Sequence, residues 1–455
     1  MKTDRISSDV ETLTRSYGHE IFARLGRGAA MPFAPSWWDE RLMEWSMGNE
    51  AVKFQLFRFV DVLPLLNSPE TIARHLREYF GEAREHLPGW LRFGIRRLPS
   101  RGLLGRLLAA TAYRSARRLA RKFIAGSNLD EALAAIAQLR RRSLGFTIDR
   151  LGEATITEQE ADQAQADYLE LIHGLGRQVN TWKANDLIDS SPRVNVSVKL
   201  SALYSQFDPI DYEGASQAVR RRLRPILHAA REQSAFVNID MEQYAFKDLT
   251  LQIFRSILEE DDFRDWPDVG IAIQAYLRDT AADLEQLAEW AQRRETPVTV
   301  RLVKGAYWDS ETILAAQYGW PNPVWTHKWE TDANYERLTE FLVDNRRWLR
   351  PALGSHNVRS LAHALALAHV RGLPRGSIEF QMLYGMAEPI KDALVSLGQG
   401  VRVYTPYGQL LPGMAYLVRR LLENTANESF LRASFTEHVS EQQLLRNPLA
   451  FDGPH

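Results

Sequence analysis

Cysteine is absent from all 455 residues, which excludes disulfide staples, thiolate metal sites and every mechanism built on a cysteine nucleophile. No stretch reaches the ~18 uninterrupted apolar residues that a membrane-spanning helix needs. Met1 to Arg15 alternates charged and polar side chains, without the apolar run of a signal peptide. A soluble chain in a reducing cytoplasm is therefore expected, at most peripheral to the inner face of a membrane. Neither G-x-G-x-x-G nor a P-loop occurs, which weighs against a doubly wound nucleotide-binding fold. H-E-x-x-H is missing, and His363 and His369 lack ligand spacing, so no metal is expected. Excess charge of either sign is missing too. The formal net charge is −1, so the chain has no global nucleic-acid-binding signature.

What is present is an ordinary globular balance, 45% hydrophobic and 25% charged. The length suits one barrel with an attached segment. Up to about Arg142 the pattern is helical, and a helical arm is expected over residues 1–142. Ser68-Pro69-Glu70 reads as a helix start: a hydroxyl cap, a proline whose missing N–H costs nothing there, and an acid at the positive end of the dipole. Between Leu91 and Arg142, basic residues from Arg96 through Arg118 to Arg142 face only Asp130 and Glu131. This charge suits either a surface for anionic lipid or nucleic acid, or a solvated arm against an acidic neighbour.

From Leu144 onward, short runs rich in Val, Ile and Phe alternate with amphipathic helical segments. The expected strands are Leu144–Ile148, Val194–Leu200, Phe236–Asp240, Gly270–Gln274, Val298–Lys304, Ala352–His356, Ile378–Met382 and Val401–Tyr404. Helices are expected at Leu249–Glu259, Ala281–Arg293 and Asn334–Leu349, among others. Such alternation predicts a (β/α)8 TIM-like barrel over 143–435, followed by a tail over 436–455.

Catalytic groups of a barrel gather at the C-terminal strand ends, and here those ends are polar throughout. Glu153, Lys199, Asp240, Glu242, Gln274, Tyr276, Arg278, Arg301, Lys304, Tyr307, His356, Asn357, Tyr384 and Tyr404 all fall there. Arg301 sits inside the apolar run Val298–Val303. A charge there is costly without a partner, so an anion or an electron-rich cofactor ring is expected beside it. In the last helical segment, Tyr416, Arg419, Arg420 and Glu423 fall on neighbouring faces. That spacing suits either a clamp for a small carboxylate or a solvated network with Glu423. Lys199 or Lys304 is also the residue type a Schiff-base barrel aldolase uses, and that alternative stays open.

These strand-end residues lie in ordered blocks that resemble the proline dehydrogenase family, and within it the proline dehydrogenase half of bifunctional proline utilization A. The blocks are Leu151-Gly-Glu-Ala154, Val196-Ser-Val-Lys-Leu-Ser-Ala202, Asn238-Ile-Asp-Met-Glu242, Ile273-Gln-Ala-Tyr276 and Val300-Arg-Leu-Val-Lys-Gly-Ala-Tyr-Trp308. They continue with Ser355-His-Asn357, Phe380-Gln-Met-Leu-Tyr-Gly-Met386, Arg402-Val-Tyr404 and Tyr416-Leu-Val-Arg-Arg-Leu-Leu-Glu-Asn424, so that the likeness spans roughly residues 40–435. The resemblance implies a distorted barrel that binds FAD and oxidises L-proline to Δ1-pyrroline-5-carboxylate. Hydride passes to the flavin, and electrons go on to a quinone acceptor. By the same resemblance, Arg419, Arg420 and Lys199 pair with the proline carboxylate, with Glu153 holding Arg419 and Glu423 alongside. Tyr307, Leu383, Tyr404 and Tyr416 wall the substrate ring, and Asp240 supports that wall or the cofactor. Arg301 and Gln274 approach the flavin ring. Val303, Gly305, Trp308, Thr326, Lys328, Ser355, His356 and Asn357 serve the rest of the cofactor. The bifunctional members continue into an aldehyde dehydrogenase half with a cysteine nucleophile. Without cysteine, and with an end at His455, that second activity is not expected here. The N-terminal residues do not resemble a DNA-binding ribbon-helix-helix, so no nucleic-acid partner is expected.

Overall fold

The computed structural model describes residues 2–25, 121–152, 155–189, 191–408 and 440–450, together with the helix Pro69–Glu82 and scattered neighbours between 55 and 85. Eight parallel strands close into a barrel in sequence order. They are β1 (Leu144–Arg150), β2 (Val194–Val198), β3 (Ala235–Ile239), β4 (Val269–Gln274), β5 (Val298–Val303), β6 (Leu349–Gly354), β7 (Glu379–Leu383) and β8 (Val401–Tyr407). Helices α1 (Lys2–Leu25), α2 (Pro69–Glu82) and α3 (Leu129–Arg141) precede the barrel. Its outer layer is α4 (Glu158–Val179), α5 (Tyr212–Glu232), α6 (Lys247–Leu258), α7 (Thr280–Arg294), α8 (Trp308–Tyr318), α9 (Lys328–Asp344), α10 (Val358–Val370) and α11 (Glu388–Ser396), and a short α12 (Glu441–Leu444) follows. The strands are apolar on nearly every residue because parallel sheets of this kind are covered on both faces. The core lies between strands and outer helices, with Val196, Val237, Ile271, Val300 and Val403 fully buried.

Local chemistry sets the element ends. The Ser68 hydroxyl accepts from Thr71 N at 3.2 Å at the start of α2, as its Ser-Pro-Glu signature predicts. Thr157 and Glu160 form a reciprocal capping box on α4. Asn357 caps α10, its side chain accepting from Arg359 N at 2.9 Å. Several boundaries differ from the sequence reading. β1 runs on to Arg150 because its ladder with β8 continues through Arg150↔Tyr407. α9 stops at Asp344 and Leu349 begins β6, since Leu349 pairs with Val298 in the ladder to β5. β6 in turn ends at Gly354, so His356 and Asn357 lie in the turn into α10 rather than in the strand.

The N-terminal helix is fastened to the barrel's outer wall by one buried arginine. Arg359 on α10 donates to Glu11 on α1 at 2.8 Å, to Glu336 on α9 at 2.8 Å and to the Leu445 carbonyl at 2.8 Å. Gly18 lets α1 approach this tail: a Cβ there would lie 2.4 Å from a Leu445 methyl. Two residues of the basic stretch meet acidic neighbours, Arg140 with Asp189 at 2.8 Å and Arg142 with Asp392 at 2.7 Å. Residues 91–120 lie outside the described residues. No helix among the described residues is long and apolar enough to cross a membrane.

Candidate active site

At the C-terminal mouth of the barrel the upper inward positions of β1, β2, β3, β5 and β8 deliver a compact charged cluster. The side-chain period of two sends Thr147 and Asp149, Ser197 and Lys199, Asn238 and Asp240 inward as successive pairs. Lys199 makes a short ion pair with Asp149, and its Nζ lies 3.6 Å from Asp240 Oδ2 and 3.5 Å from the Tyr404 hydroxyl. Arg301 donates to Asp240 Oδ1 at 2.5 Å and to the Ser197 hydroxyl at 2.9 Å. The Tyr404 hydroxyl donates to Asp240 Oδ2 at 2.6 Å, while the Arg301 guanidinium lies 5.2 Å from the Tyr404 ring centroid. The anion expected beside Arg301 is thus present as the chain's own Asp240.

Two cations and two carboxylates share this space, where burial raises the Asp149 carboxyl above its ordinary value against the pull of Lys199. Burial disfavours the Lys199 ammonium, but Asp149 and Asp240 outweigh it and keep its pKa above that of an ordinary lysine. Burial, followed by the charges of Asp149 and Asp240, pushes the Tyr404 hydroxyl well above its usual range, so Tyr404 stays a neutral donor. Burial likewise raises Tyr168, to about 12. A Schiff-base lysine needs the opposite setting, a lowered pKa in an apolar pocket. Lys304 is also paired, with Asp332. Neither lysine is placed as an aldolase requires.

A second group lines the exits of β4 and β5. The β4 exit loop pairs with the segment ahead of α9, through Arg278 N to Pro323 O at 2.9 Å and Trp325 N to Tyr276 O at 2.8 Å. This brings Thr326 within 3.2 Å of the Arg278 guanidinium and sets Lys328 as the first residue of α9. Gly305 has a φ of +126°, and a Cβ there would lie 2.5 Å from the Tyr276 ring, so glycine is required. Tyr307 packs on the cluster of Tyr276, Leu277 and Val324. The Trp308 indole N–H donates to Trp325 O at 2.7 Å. Val303 ends β5. On the opposite flank, Leu383 N donates to His356 Nε2 at 3.0 Å, and Ser355 Oγ accepts from Asn357 N at 3.1 Å.

Beside the charged cluster two buried polar atoms have no hydrogen-bond partner among the described residues, the donor Arg301 Nε and the acceptor Gln274 Oε1. Buried groups of this kind are almost always satisfied. A ring presenting both acceptors and donors along one edge, as the flavin implied by the sequence does, fits that pair. Among the described residues no acidic or histidine cluster suited to a metal occurs. Four residues expected in the site, Tyr416, Arg419, Arg420 and Glu423, lie outside the described residues, as does Glu153. Sequence reasoning did not single out Asp149, Ser197, Thr147 and Tyr168. Asp149 was passed over because β1 was expected to stop at Ile148, although Thr147 and Asp149 already show the two-residue alternation.

The family model described as proline dehydrogenase matches residues 132–433, and the one described as the proline utilization A N-terminal domain matches residues 11–123. The chain is similar to bifunctional protein PutA of Klebsiella aerogenes, 32% identical over 73% of this chain and 26% of that protein. It is also similar to proline dehydrogenase 1 of Bacillus subtilis, 29% identical over 69% of this chain and 89% of that protein. Among solved structures, proline utilization A from Bdellovibrio bacteriovorus inactivated by N-propargylglycine superposes with a TM-score of 0.88 at 44% identity, over 98% of this chain and 44% of that one. The chain thus spans about a quarter of the length of the bifunctional PutA relative from Klebsiella, and under half of the Bdellovibrio one.

Proposed function

Since the chain belongs to the proline dehydrogenase family, we propose that it oxidises L-proline to Δ1-pyrroline-5-carboxylate with FAD and passes the electrons to a quinone. The observation that carries this reading is the mouth cluster. A half-buried lysine is held charged by Asp149 and Asp240, next to an arginine and a glutamine that each retain one polar atom unsatisfied among the described residues. FAD, when bound, supplies the hydride acceptor. Lys199, with Arg419 and Arg420, binds the substrate carboxylate and so fixes which ring carbon is presented. Glu153 holds Arg419, with Glu423 alongside. Tyr307, Leu383, Tyr404 and Tyr416 enclose the ring and exclude water. Asp240 keeps Arg301 and Tyr404 in place, and Arg301 with Gln274 holds the flavin ring by its polar edge. Thr326, Lys328, Ser355, His356 and Asn357 serve the cofactor's phosphate, ribose and adenine portions, and Val303, Gly305 and Trp308 also contribute to its binding. Transfer to a lipophilic quinone takes place at the inner face of a membrane, where a cytoplasmic chain makes peripheral contact.

An anaerobic absorbance spectrum before and after L-proline tests the reading. Flavin bands that bleach on addition support both cofactor and substrate. Bound flavin that proline leaves unchanged would remove proline as substrate, and a colourless protein that FAD cannot reconstitute would remove the flavin.

A further inference from the structure

The lysine at the centre of the mouth cluster has two carboxylate neighbours, and they are not equivalent. Asp240 is committed elsewhere: Oδ1 accepts from Arg301 at 2.5 Å and Asn238 at 3.2 Å, and Oδ2 accepts from Tyr404 at 2.6 Å. Its distance to Lys199 Nζ is 3.6 Å, too long for a hydrogen bond. Asp149 is different. It lies on β1, 1% exposed, and the Lys199 ammonium bonds it directly. The Tyr168 hydroxyl on α4 accepts from the Lys199 backbone N–H at 3.4 Å, so the start of the lysine side chain is also tied to that side of the barrel.

We infer that Asp149 is the positioning residue that aims Lys199 at the substrate carboxylate, a role resting on the reading of Lys199 given above. An ammonium on a four-carbon stem is a mobile point charge, and a binding contact must be held within a fraction of an ångström by supporting groups. Asp149 provides that support and lies at the far end of the contact from the substrate. Removing its charge has two opposed consequences. The cluster loses one anion and attracts any incoming carboxylate more strongly at long range. The lysine also loses its direct carboxylate hydrogen bond among the described residues and turns toward Asp240, where Tyr404 and Arg301 already compete. The second effect acts at hydrogen-bond range and prevails, because a carboxylate clamp depends on direction as well as on net charge.

The test uses the full chain loaded with flavin and the substitution Asp149→Asn. Steady-state kinetics give the proline KM and kcat. Calorimetry gives the Kd of cyclopentanecarboxylate, a ring acid with no amine to oxidise. The expected result is a rise of about tenfold or more in both KM and Kd, a kcat within about threefold of wild type and unchanged flavin content. Asp149→Glu, which keeps the charge on a longer stem, is expected to recover part of the loss and serves if the asparagine variant does not fold. In a Lys199→Met background, adding Asp149→Asn is expected to change the Kd less than about twofold. A Kd equal to or tighter than wild type in Asp149→Asn, or a further tenfold loss on the Lys199→Met background, would overturn the inference. A wild type that binds neither proline nor the ring acid would instead overturn the substrate reading beneath it.

Discussion

Asp240 is the acceptor on which the mouth cluster converges, and Asp240→Ala is the perturbation with the largest consequence. The aspartate is 7% exposed and receives Arg301 at 2.5 Å, Tyr404 at 2.6 Å and Asn238 at 3.2 Å. Lys199 stands a further 3.6 Å away. With an effective dielectric near 20, that lysine contact alone carries about 4–5 kcal/mol of gross Coulomb attraction at 3.6 Å. Desolvation offsets most of the gross figure. Deleting one partner of a buried pair, however, strands the other charge and costs about 3–5 kcal/mol. The alanine variant leaves Arg301 with Ser197 as its one side-chain acceptor among the described residues. A melting temperature lower by roughly 3–5 °C is expected, with loss of bound flavin because Arg301 is no longer aimed. Asp240→Asn keeps the shape and one acceptor oxygen, so it is expected to fall between alanine and wild type. Differential scanning calorimetry with flavin quantitation reads both effects. An alanine variant that melts within about one degree of wild type and retains its flavin would refute the account of Asp240 as the structural hub.

Arg419→Met or Arg420→Met is expected to raise the proline KM about tenfold or more while leaving flavin content intact; steady-state kinetics check this. Arg359→Met removes the common partner of Glu11 and Glu336 and the donor to Leu445 O. It is expected to cost about 3 kcal/mol in chemical denaturation and to speed proteolytic cleavage within α1. His363 is largely buried, with both ring nitrogens lacking a hydrogen bond among the described residues, and Glu336, Arg359, Glu340 and Glu11 act on it. Burial lowers its pKa below the ordinary histidine value. The unfolded chain therefore takes up a proton at a pH where the native chain does not. The neutral ring's contribution to stability is full above about pH 6.5 and is lost as pH falls through the native value. The denaturation midpoint should fall between about pH 7 and pH 5, and His363→Leu should flatten that slope. An equal slope in both proteins would count against the assignment.

The fold was legible because parallel strands covered on both faces read as continuous apolar runs, and each was followed by a helical pattern. Thr157-x-x-Glu160 and Ser68-Pro69-Glu70 carry their caps in the sequence. The ends of elements were less legible. Apolar residues continue through Trp348 and Leu349, and only the ladder partner Val298 decides that Leu349 belongs to a strand. The same weakness hid part of the site. Ending β1 at Ile148 removed Asp149 from view, yet Asp149 sits one inward step beyond Thr147, beside the inward pair Ser197 and Lys199 on β2. Strand-end residues with long polar side chains were found by type and place. Ser197 and Tyr168 were not, since a small hydroxyl in a strand and a tyrosine in an amphipathic helix look like ordinary packing until their partners are seen.

Arg301 and Arg402 show why position along a strand matters as much as residue type. Each is a lone charge within a run of valines and leucines, Val298–Val303 and Val401–Val403, and each is almost fully buried. Arg402 is the second residue of β8, paired in register with Gly145 near the start of β1. At that N-terminal mouth every guanidinium nitrogen is used: Nε on Glu379 at 2.9 Å, one terminal nitrogen on Phe146 O at 2.8 Å and the other on Ser191 at 2.5 Å. Arg301 is the fourth residue of β5, toward the C-terminal mouth, and its Nε is left without a partner among the described residues. A saturated arginine closes the floor of the barrel. Arg301 instead keeps one donor, beside a charged lysine, that no described residue completes. The placement agrees with the general division of such barrels, stability at the N-terminal face and chemistry at the C-terminal one. The costly buried charge that first drew attention to Arg301 does not by itself separate it from Arg402; only the strand half does.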